Sequence, residues 1–187
     1  MEARRVSSAV GRAAILLELA SLLGATVTAS PVSTPEDELR SAVILSFLRY
    51  SEWPERGAAD GTLTVGVLGP PGLVSVLRRT LEAKPVNNRS IHVVELKPVG
   101  DPLCCQVIYL ATDKAAELRS ALAGARAAHA LTIGQTDKFL ELGGAVNLMV
   151  VDGHMAFEVD LKAVEQTGVV ISSKLLRYGQ VRGRPPA

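Results

Sequence analysis

The spacing of the apolar residues predicts a long amphipathic helix near the start of the folded region. One stripe recurs at intervals of four and three residues: Leu39, Val43, Phe47 and Tyr50, with Ile44 and Leu48 widening it. Ser33 or Thr34 stands before this stretch as an N-cap, and three carboxylates follow, where the helix dipole favours negative charge. Because the residue before a proline is pushed out of the helical region, Pro54 predicts that the helix is over by Trp53.

Short apolar runs alternate with further amphipathic stretches along the rest of the chain. Strands are predicted in four runs: LTVGVLG, SIHVVELK, CQVIYLA and HALTIG. Helices are predicted in PPGLVSVLRRTLEAK, DKAAELRSALAGA and LKAVEQTG, and a brief one in DKFLELGG, which its glycines end. VNLMVV and HMAFEVD flank Asp152-Gly153, a strong signal for a β-hairpin. The final VVISSKLLRYG is left open between a helix and an irregular segment.

This order of elements predicts an α/β fold. Strands that alternate with helices form a mostly parallel sheet, and such a sheet has both of its faces covered. The predicted fold is a single-domain sandwich with a mostly parallel sheet, helices on both faces and a C-terminal antiparallel hairpin.

The first 29 residues differ in composition from the rest. Three arginines precede an apolar run at residues 13–23, and Val27 and Ala29 take the −3 and −1 positions of a small-residue cleavage site. This order is typical of a secretory signal peptide, and the run is too short for a transmembrane helix, which needs about 20 residues. Glu18 within the run leaves an amphipathic N-terminal helix as the alternative.

Residues 30–187 are predicted to form one domain, with a frayed tail at 176–187 that is rich in glycine, proline and arginine. Removal of residues 1–29 leaves 20 − 3 = 17 basic and 19 − 2 = 17 acidic side chains. A neutral domain lacks the electrostatic footprint of a nucleic-acid-binding protein. We therefore expect no nucleic acid among the partners and, after signal cleavage, no insertion into a membrane.

The glycine cluster after the first long predicted strand does not fit a phosphate-binding loop. Gly66, Gly69 and Gly72 are three residues apart, which departs from the G-x-G-x-x-G spacing. Pro70 and Pro71 lack the backbone N–H groups that cradle a phosphate. Metal-ligand spacing is also absent among the three histidines: His92, His129 and His154. We therefore expect no enzyme activity, no catalytic residues, no cofactor and no metal.

The two cysteines are adjacent, so no disulfide framework can form within the chain. Cys104 and Cys105 have three open fates: reduced thiols, a strained bond between neighbours, or a bridge between two subunits. Strand alternation turns one of them inward and the other toward the opposite face. They are the candidate redox residues.

The stretch FLRYSEWPE places Tyr50 and Trp53, two of the seven aromatic residues, beside the helix stop. Phe47 and Tyr50 fall on the apolar stripe and are expected in the core. Trp53 lies past the helix end, where a tryptophan packs at the edge of the core or anchors an interface. Tyr50, Trp53 and Pro54 are the candidate partner-interface residues.

The order of these motifs resembles the YfiR family of exported bacterial proteins. The similarity runs through LRSAVILSFLRYSEWP, LTVGVLG, KPVNNRSIHVVEL and CCQVIYLA, and then through nearly all of the stretch from LTIGQTDKF to SSKLLRYG. An aromatic-Trp-Pro stop after a helix, a double glycine before the hairpin and an S-S-x-L-L after the last helix belong to the pattern. The resemblance covers about residues 36–178.

This resemblance implies a small periplasmic α/β domain that represses an inner-membrane diguanylate cyclase of the YfiN type by binding its periplasmic sensor region. Such a cyclase makes cyclic di-GMP on the cytoplasmic side and drives biofilm formation. The resemblance also implies a homodimer. Two departures stand out: Cys104 and Cys105 have no separated partner, which leaves the redox control of the relatives open here, and Asp160 replaces an asparagine that often closes the hairpin's second strand.

A second hypothesis is a periplasmic small-molecule-binding protein that serves a transporter or receptor. Parallel sheets bind ligands beyond the carboxyl ends of their strands, and the turn after Leu68 lies at such an end. Against this hypothesis, one domain lacks the two-lobed cleft that is typical of transport binding proteins.

Export can be tested directly. We expect the mature protein to begin near Ser30, because Val27 and Ala29 define the cleavage site. N-terminal sequencing of the periplasmic protein measures this. An intact Met1 in a cytosolic fraction would contradict the expectation.

Overall fold

Strands alternate with helices along the chain, as the sequence pattern predicts. The computed structural model describes residues 34–54, 61–98 and 105–183. In chain order, the elements of these residues are α1 (Pro35–Arg49), β1 (Ser51–Glu52), β2 (Leu63–Leu68), α2 (Pro71–Leu81), β3 (Ile91–Glu95), β4 (Val107–Leu110), α3 (Ala115–Ala127), β5 (Leu131–Gly134), β6 (Val146–Val151), β7 (His154–Asp160), α4 (Leu161–Glu165), β8 (Val170–Ile171), α5 (Ser173–Leu176) and β9 (Gln180–Arg182).

A seven-stranded sheet lies at the centre of the fold, with the strand order β3-β2-β4-β5-β6-β7-β9. Neighbouring strands are parallel except β6 and β7, which are antiparallel. Between β6 and β7, Asp152 and Gly153 have φ angles of 50° and 77°, as a tight two-residue hairpin turn requires. The predicted parallel sheet and its late hairpin are confirmed.

Helices cover both faces of this sheet, which confirms the predicted sandwich. Side chains of β4 alternate between two hydrophobic clusters, with Val107 and Tyr109 in one and Ile108 and Leu110 in the other. Helices α1, α2, α4 and α5 pack into the first cluster. Helix α3 and the segment around Phe139 pack into the second.

Helix α1 begins and ends as predicted, and Ile44, Phe47 and Leu48 of its predicted stripe are buried. Thr34 is the N-cap, and its hydroxyl accepts a hydrogen bond from the Asp37 N–H at 3.2 Å. The buried face follows helical spacing: Ser41, Ile44, Leu45, Phe47 and Leu48. Leu39 lies off this face and is 51% exposed, so its predicted core position is wrong.

Residues 137–144 do not form the brief helix predicted for DKFLELGG. Lys138 has a φ of 62°, in the left-handed region, and this interrupts the helical backbone. A series of turns replaces the helix, closed by the Gly144 N–H, which donates to the Phe139 carbonyl at 3.0 Å. These turns hold the fully buried ring of Phe139 against the sheet.

The predicted frayed tail at 176–187 is also corrected. Residues Gln180–Arg182 form β9, which pairs in parallel with β7 at the edge of the sheet. The Arg182 guanidinium lies 3.1 Å from the Glu158 carboxylate. Composition favours fraying, whereas the edge of β7 offers backbone hydrogen-bond partners that order the tail as far as residue 183. Residues 184–187 lie outside the described residues.

The predicted signal peptide at residues 1–29 lies outside the described residues as well. Within the part of the chain that the structure describes, no helix has the length and apolar character needed to cross a bilayer.

Glycines make room for the Phe139 ring, so we expect Gly144→Ala to destabilise the fold. A Cβ at Gly144 would lie 2.1 Å from a ring carbon of Phe139, which is far inside van der Waals contact. Overpacking of this kind lowers the free energy of unfolding by about 1–3 kcal/mol, which equilibrium unfolding in urea measures.

Gly153→Asn is the matched control for this substitution. Asparagine tolerates the left-handed φ of the hairpin turn, and no described atom lies within 4 Å of a Cβ at that position. We expect this variant to keep wild-type stability. The prediction fails if Gly144→Ala is as stable as Gly153→Asn.

Candidate partner-binding surface

A short antiparallel ribbon joins the end of α1 to the C-terminal part of the chain. Strand β1 pairs with β8, with Ser51 opposite Ile171. One more hydrogen bond extends the pairing, since the Ser172 N–H donates to the Tyr50 carbonyl at 2.8 Å. The ribbon therefore brings the predicted interface residues beside a segment that is distant in sequence.

The two faces of this ribbon differ in exposure. Ser51 and Ile171 point inward and are buried, whereas Tyr50 and Val170 are 46% and 59% exposed. Tyr50 and Val170 are diagonal neighbours across the ribbon, a separation that a tyrosine side chain spans. The core position predicted for Tyr50 is therefore wrong: α1 ends at Arg49, and the turn into β1 takes Tyr50 off the buried helix face.

Trp53 stabilises the corner between α1 and β1. Its indole is half-buried against the first hydrophobic cluster, and its Nε1–H donates to the Leu48 carbonyl at 3.0 Å. That carbonyl belongs to the last turn of α1, where carbonyls lack partners within the helix. Pro54 follows and is also half-buried. Trp53 and Pro54 thus lie behind the exposed residues of the ribbon.

Helix α5 adds a second exposed patch directly after the ribbon. Ser172 caps the helix, and its hydroxyl accepts a hydrogen bond from the Lys174 N–H at 3.3 Å. Lys174 and the C-cap residue Arg177 are three residues apart, and Tyr178 follows in the turn beyond the helix. All three are exposed, whereas Leu175 is buried. Tyr178 is 78% exposed.

These two patches together form the ribbon surface: Tyr50, Glu52, Val170, Lys174, Arg177 and Tyr178. Three of its members are large apolar side chains left in water, and two are cations. Exposed apolar groups that cluster on a soluble domain mark contact sites, and tyrosine and arginine are enriched where binding energy concentrates. Because these side chains are exposed and do not line a cleft, they suit binding of another macromolecule.

The crevice that the small-molecule hypothesis uses is closed. It lies at the carboxyl ends of β2 and β4, where the strand order reverses. A Cβ at Gly69 would lie 2.9 Å from the Ala111 Cβ, so the two loops already touch there. Pro70 and Pro71 remove two N–H donors from the start of α2. This part of the crevice is therefore narrow and has fewer N–H donors than the start of a helix usually offers.

Two polar side chains near the same edge of the sheet, Tyr109 and Arg40, are already partnered. The Tyr109 hydroxyl donates to the Gln135 side-chain oxygen, and burial raises the pKa of this phenol well above its ordinary value. Arg40 forms ion pairs with Glu36 and Asp37. Tyr109 therefore stays neutral and structural, and the charge of Arg40 is compensated within α1.

Cys105 is buried in the second hydrophobic cluster. Its Sγ lies 2.9 Å from the position that a Cβ at Gly66 would take, so the glycine gives the thiol its space. Cys104 lies outside the described residues, and the redox role of the pair stays a prediction. Among the described residues, no group of three or more histidine, cysteine, aspartate or glutamate side chains is placed to hold a metal ion.

Of the residues that form the ribbon surface, the sequence identifies only Tyr50 as a candidate. Tyr50 is found because it stands beside a helix stop. Val170, Lys174, Arg177 and Tyr178 carry no local signal, since their exposure is decided by the pairing of β8 with β1. The alternation of exposed Val170 with buried Ile171 indicates a surface position only once the pairing of β8 with β1 is known.

The chain is similar to one protein family and to solved structures. A family model described as YfiR/HmsC-like matches residues 37–180. The crystal structure of a conserved domain protein from Vibrio cholerae O1 biovar El Tor aligns with a TM-score of 0.54 at 15% identity, over 78% of this chain and 59% of that one. This likeness shows the fold, and the chain spans less than two thirds of that protein. No curated protein sequence matches.

We expect Trp53→Phe to lower the free energy of unfolding by about 1 kcal/mol. Phenylalanine keeps most of the packing but loses the hydrogen bond to the Leu48 carbonyl. Urea unfolding measures the change. Tyr50→Phe is the matched control, because Tyr50 is exposed and the loss of its hydroxyl should change stability by less than about 0.5 kcal/mol. A greater loss at Tyr50 than at Trp53 would contradict these roles.

Proposed function

Because the chain belongs to the YfiR/HmsC-like family, we propose that it is a periplasmic regulator of cyclic di-GMP signalling. In this proposal, the mature domain binds the periplasmic region of an inner-membrane diguanylate cyclase and represses it, with no enzyme activity of its own. The cyclase then makes less cyclic di-GMP, and biofilm formation falls.

The extent of the family match is the observation that carries this proposal. The match begins in the first turn of α1 and ends at the first residue of β9, so it includes both the central sheet and the ribbon. The whole described fold, and not one shared element, is therefore the part that resembles the family.

The ribbon surface supports a binding role. Full burial of a large apolar side chain contributes about 1.5–3 kcal/mol, and Tyr50, Val170 and Tyr178 are each available for it. The three side chains come from two segments that the β1–β8 pairing holds together. A partner that covers them gains several apolar contacts at once, on a scaffold that needs little reordering.

Export and self-association belong to the same proposal. Cleavage near Ser30 delivers the domain to the compartment in which the cyclase exposes its sensor region. A second copy completes a homodimer, and the tip of the β6–β7 hairpin offers it Val150 and Val151, which are 48% and 47% exposed on opposite faces. Light scattering of the purified mature chain tests the dimer.

The small-molecule-binding alternative receives no support from the closed crevice at Gly69 and Ala111. A thermal-shift screen against amino acids and metabolites separates the two hypotheses. A micromolar ligand, combined with no binding to any cyclase, would favour the alternative.

Deletion of the gene should raise cellular cyclic di-GMP and surface attachment, because the cyclase loses its repressor. Mass spectrometry of nucleotide extracts and a crystal-violet attachment assay measure the two effects. The wild-type gene on a plasmid should restore both. Unchanged cyclic di-GMP in a strain that keeps an intact neighbouring cyclase gene would rule the proposal out.

The surface itself is tested by Val170→Asp, which places a charge diagonally across the ribbon from the exposed Tyr50. We expect a folded protein that fails to complement the deletion strain, since a buried, unpaired carboxylate disfavours docking. Leu39→Asp is the matched control: Leu39 is also about half exposed, and it lies near the start of α1, where the helix dipole favours an acidic side chain. Equal complementation by both variants would exclude the ribbon surface.

A further inference from the structure

Two cations of the ribbon surface lack an ion-pair partner among the described residues. Lys174 and Arg177 are exposed on the outer face of α5, and no described carboxylate lies within ion-pair distance of either one. Arg182, in the next element, differs because it is paired with Glu158 at 3.1 Å. The charges of α5 are thus left available to a partner.

Charge is unevenly distributed although the domain as a whole is neutral. Residues 161–183 contain four basic side chains and one acidic side chain: Lys162, Glu165, Lys174, Arg177 and Arg182. The first turn of α1 has the opposite sign and holds Glu36, Asp37 and Glu38. The C-terminal segment therefore carries an excess of basic side chains.

From the juxtaposition of these cations with Tyr50, Val170 and Tyr178, we infer that the ribbon surface recognises an acidic segment of its protein partner. Carboxylates of that segment face Lys174 and Arg177, and an apolar side chain covers the exposed aromatic and aliphatic groups. The inference rests on the proposed function and names the chemistry of the partner that it requires. The apolar contacts supply affinity, and the charges set association rate, orientation and selectivity.

The ribbon surface also fixes the direction in which such a segment lies. Glu52 is exposed opposite Val170, at the end of the surface away from α5. An acidic residue of the partner is repelled by Glu52 and attracted by Lys174 and Arg177. The acidic end of the segment therefore lies over α5, and a neutral or basic end lies over β1.

An anionic lipid surface fits these observations less well than a protein does. Binding to anionic lipids is typical of clusters of about four to eight basic residues, whereas only Lys174 and Arg177 are exposed here without an ion pair in the described part of the surface. The neutral domain adds no long-range attraction to a negative membrane.

The test is a double charge reversal, Lys174→Glu with Arg177→Glu, in the mature chain. The probe is the purified periplasmic region of the diguanylate cyclase whose loss abolishes the rise of cyclic di-GMP in the deletion strain, and calorimetry measures its affinity. We expect binding to weaken about tenfold or more at about 0.05 M salt, and the difference from wild type to shrink at about 0.5 M salt, where exposed charges are screened.

Lys84→Glu with Arg119→Glu is the matched control. Both residues are exposed, lie outside the ribbon surface and change the net charge by the same amount. We expect this variant to bind like the wild type. Lys174→Gln with Arg177→Gln removes the attraction without adding repulsion and should give an intermediate affinity, which keeps the test informative if the reversal variant unfolds.

A carboxylate-to-lysine change in the bound segment of the cyclase should restore affinity for the reversal variant. If the charge-reversal variant and the glutamine variant of Lys174 and Arg177 both bind as tightly as the wild type, the inference is overturned and the proposed function stays in place. Failure of the wild type to bind the cyclase region would overturn both. Sedimentation of the wild type, but not of the reversal variant, with phosphatidylglycerol vesicles, together with unchanged cyclase binding, would assign the cations to lipid and overturn the inference.

Discussion

The pairing of β1 with β8 is the contact on which the arrangement of the two ends of the fold depends. Each strand has only two residues, so the ladder is weak by itself. It persists because the Ile171 side chain is buried and because the Trp53 indole bonds the same corner to the last turn of α1. The Ser172 N–H that bonds to Tyr50 also belongs to the residue that caps α5. This small contact thus holds the end of α1 beside the start of α5, together with the exposed side chains of the ribbon.

The regular part of the fold could be predicted from the sequence because its signals are local. Buried parallel strands are continuous apolar runs, and Asp152-Gly153 adopts the left-handed backbone that a hairpin turn requires. The brief helix predicted at 137–144 does not form because Lys138 has a left-handed φ, which its residue type does not predict. Lysine has no preference for that region, so the constraint comes from the packing of Phe139 between Gly134 and Gly144.

The parts that escape prediction are those decided by contacts between distant segments. Leu39 and Tyr50 fit the predicted apolar stripe by spacing and are nevertheless exposed. The core buries only the part of that stripe formed by Ile44, Phe47 and Leu48. The exposure of the C-terminal residues of the ribbon surface is likewise decided by contacts between distant segments. Val170 and Tyr178 are exposed because β8 and α5 bury Ile171 and Leu175 instead. An exposed binding surface has no periodicity of its own, since it consists of the positions that the core does not use.

Strand β9 affects the tendency of the folded protein to aggregate. It covers the edge of β7 at Glu158–Asp160, next to the buried Phe157. An uncovered strand edge is a template on which other chains add strands and aggregate. The three residues of β9 therefore shield this edge, and their removal would leave it open to pairing with other chains.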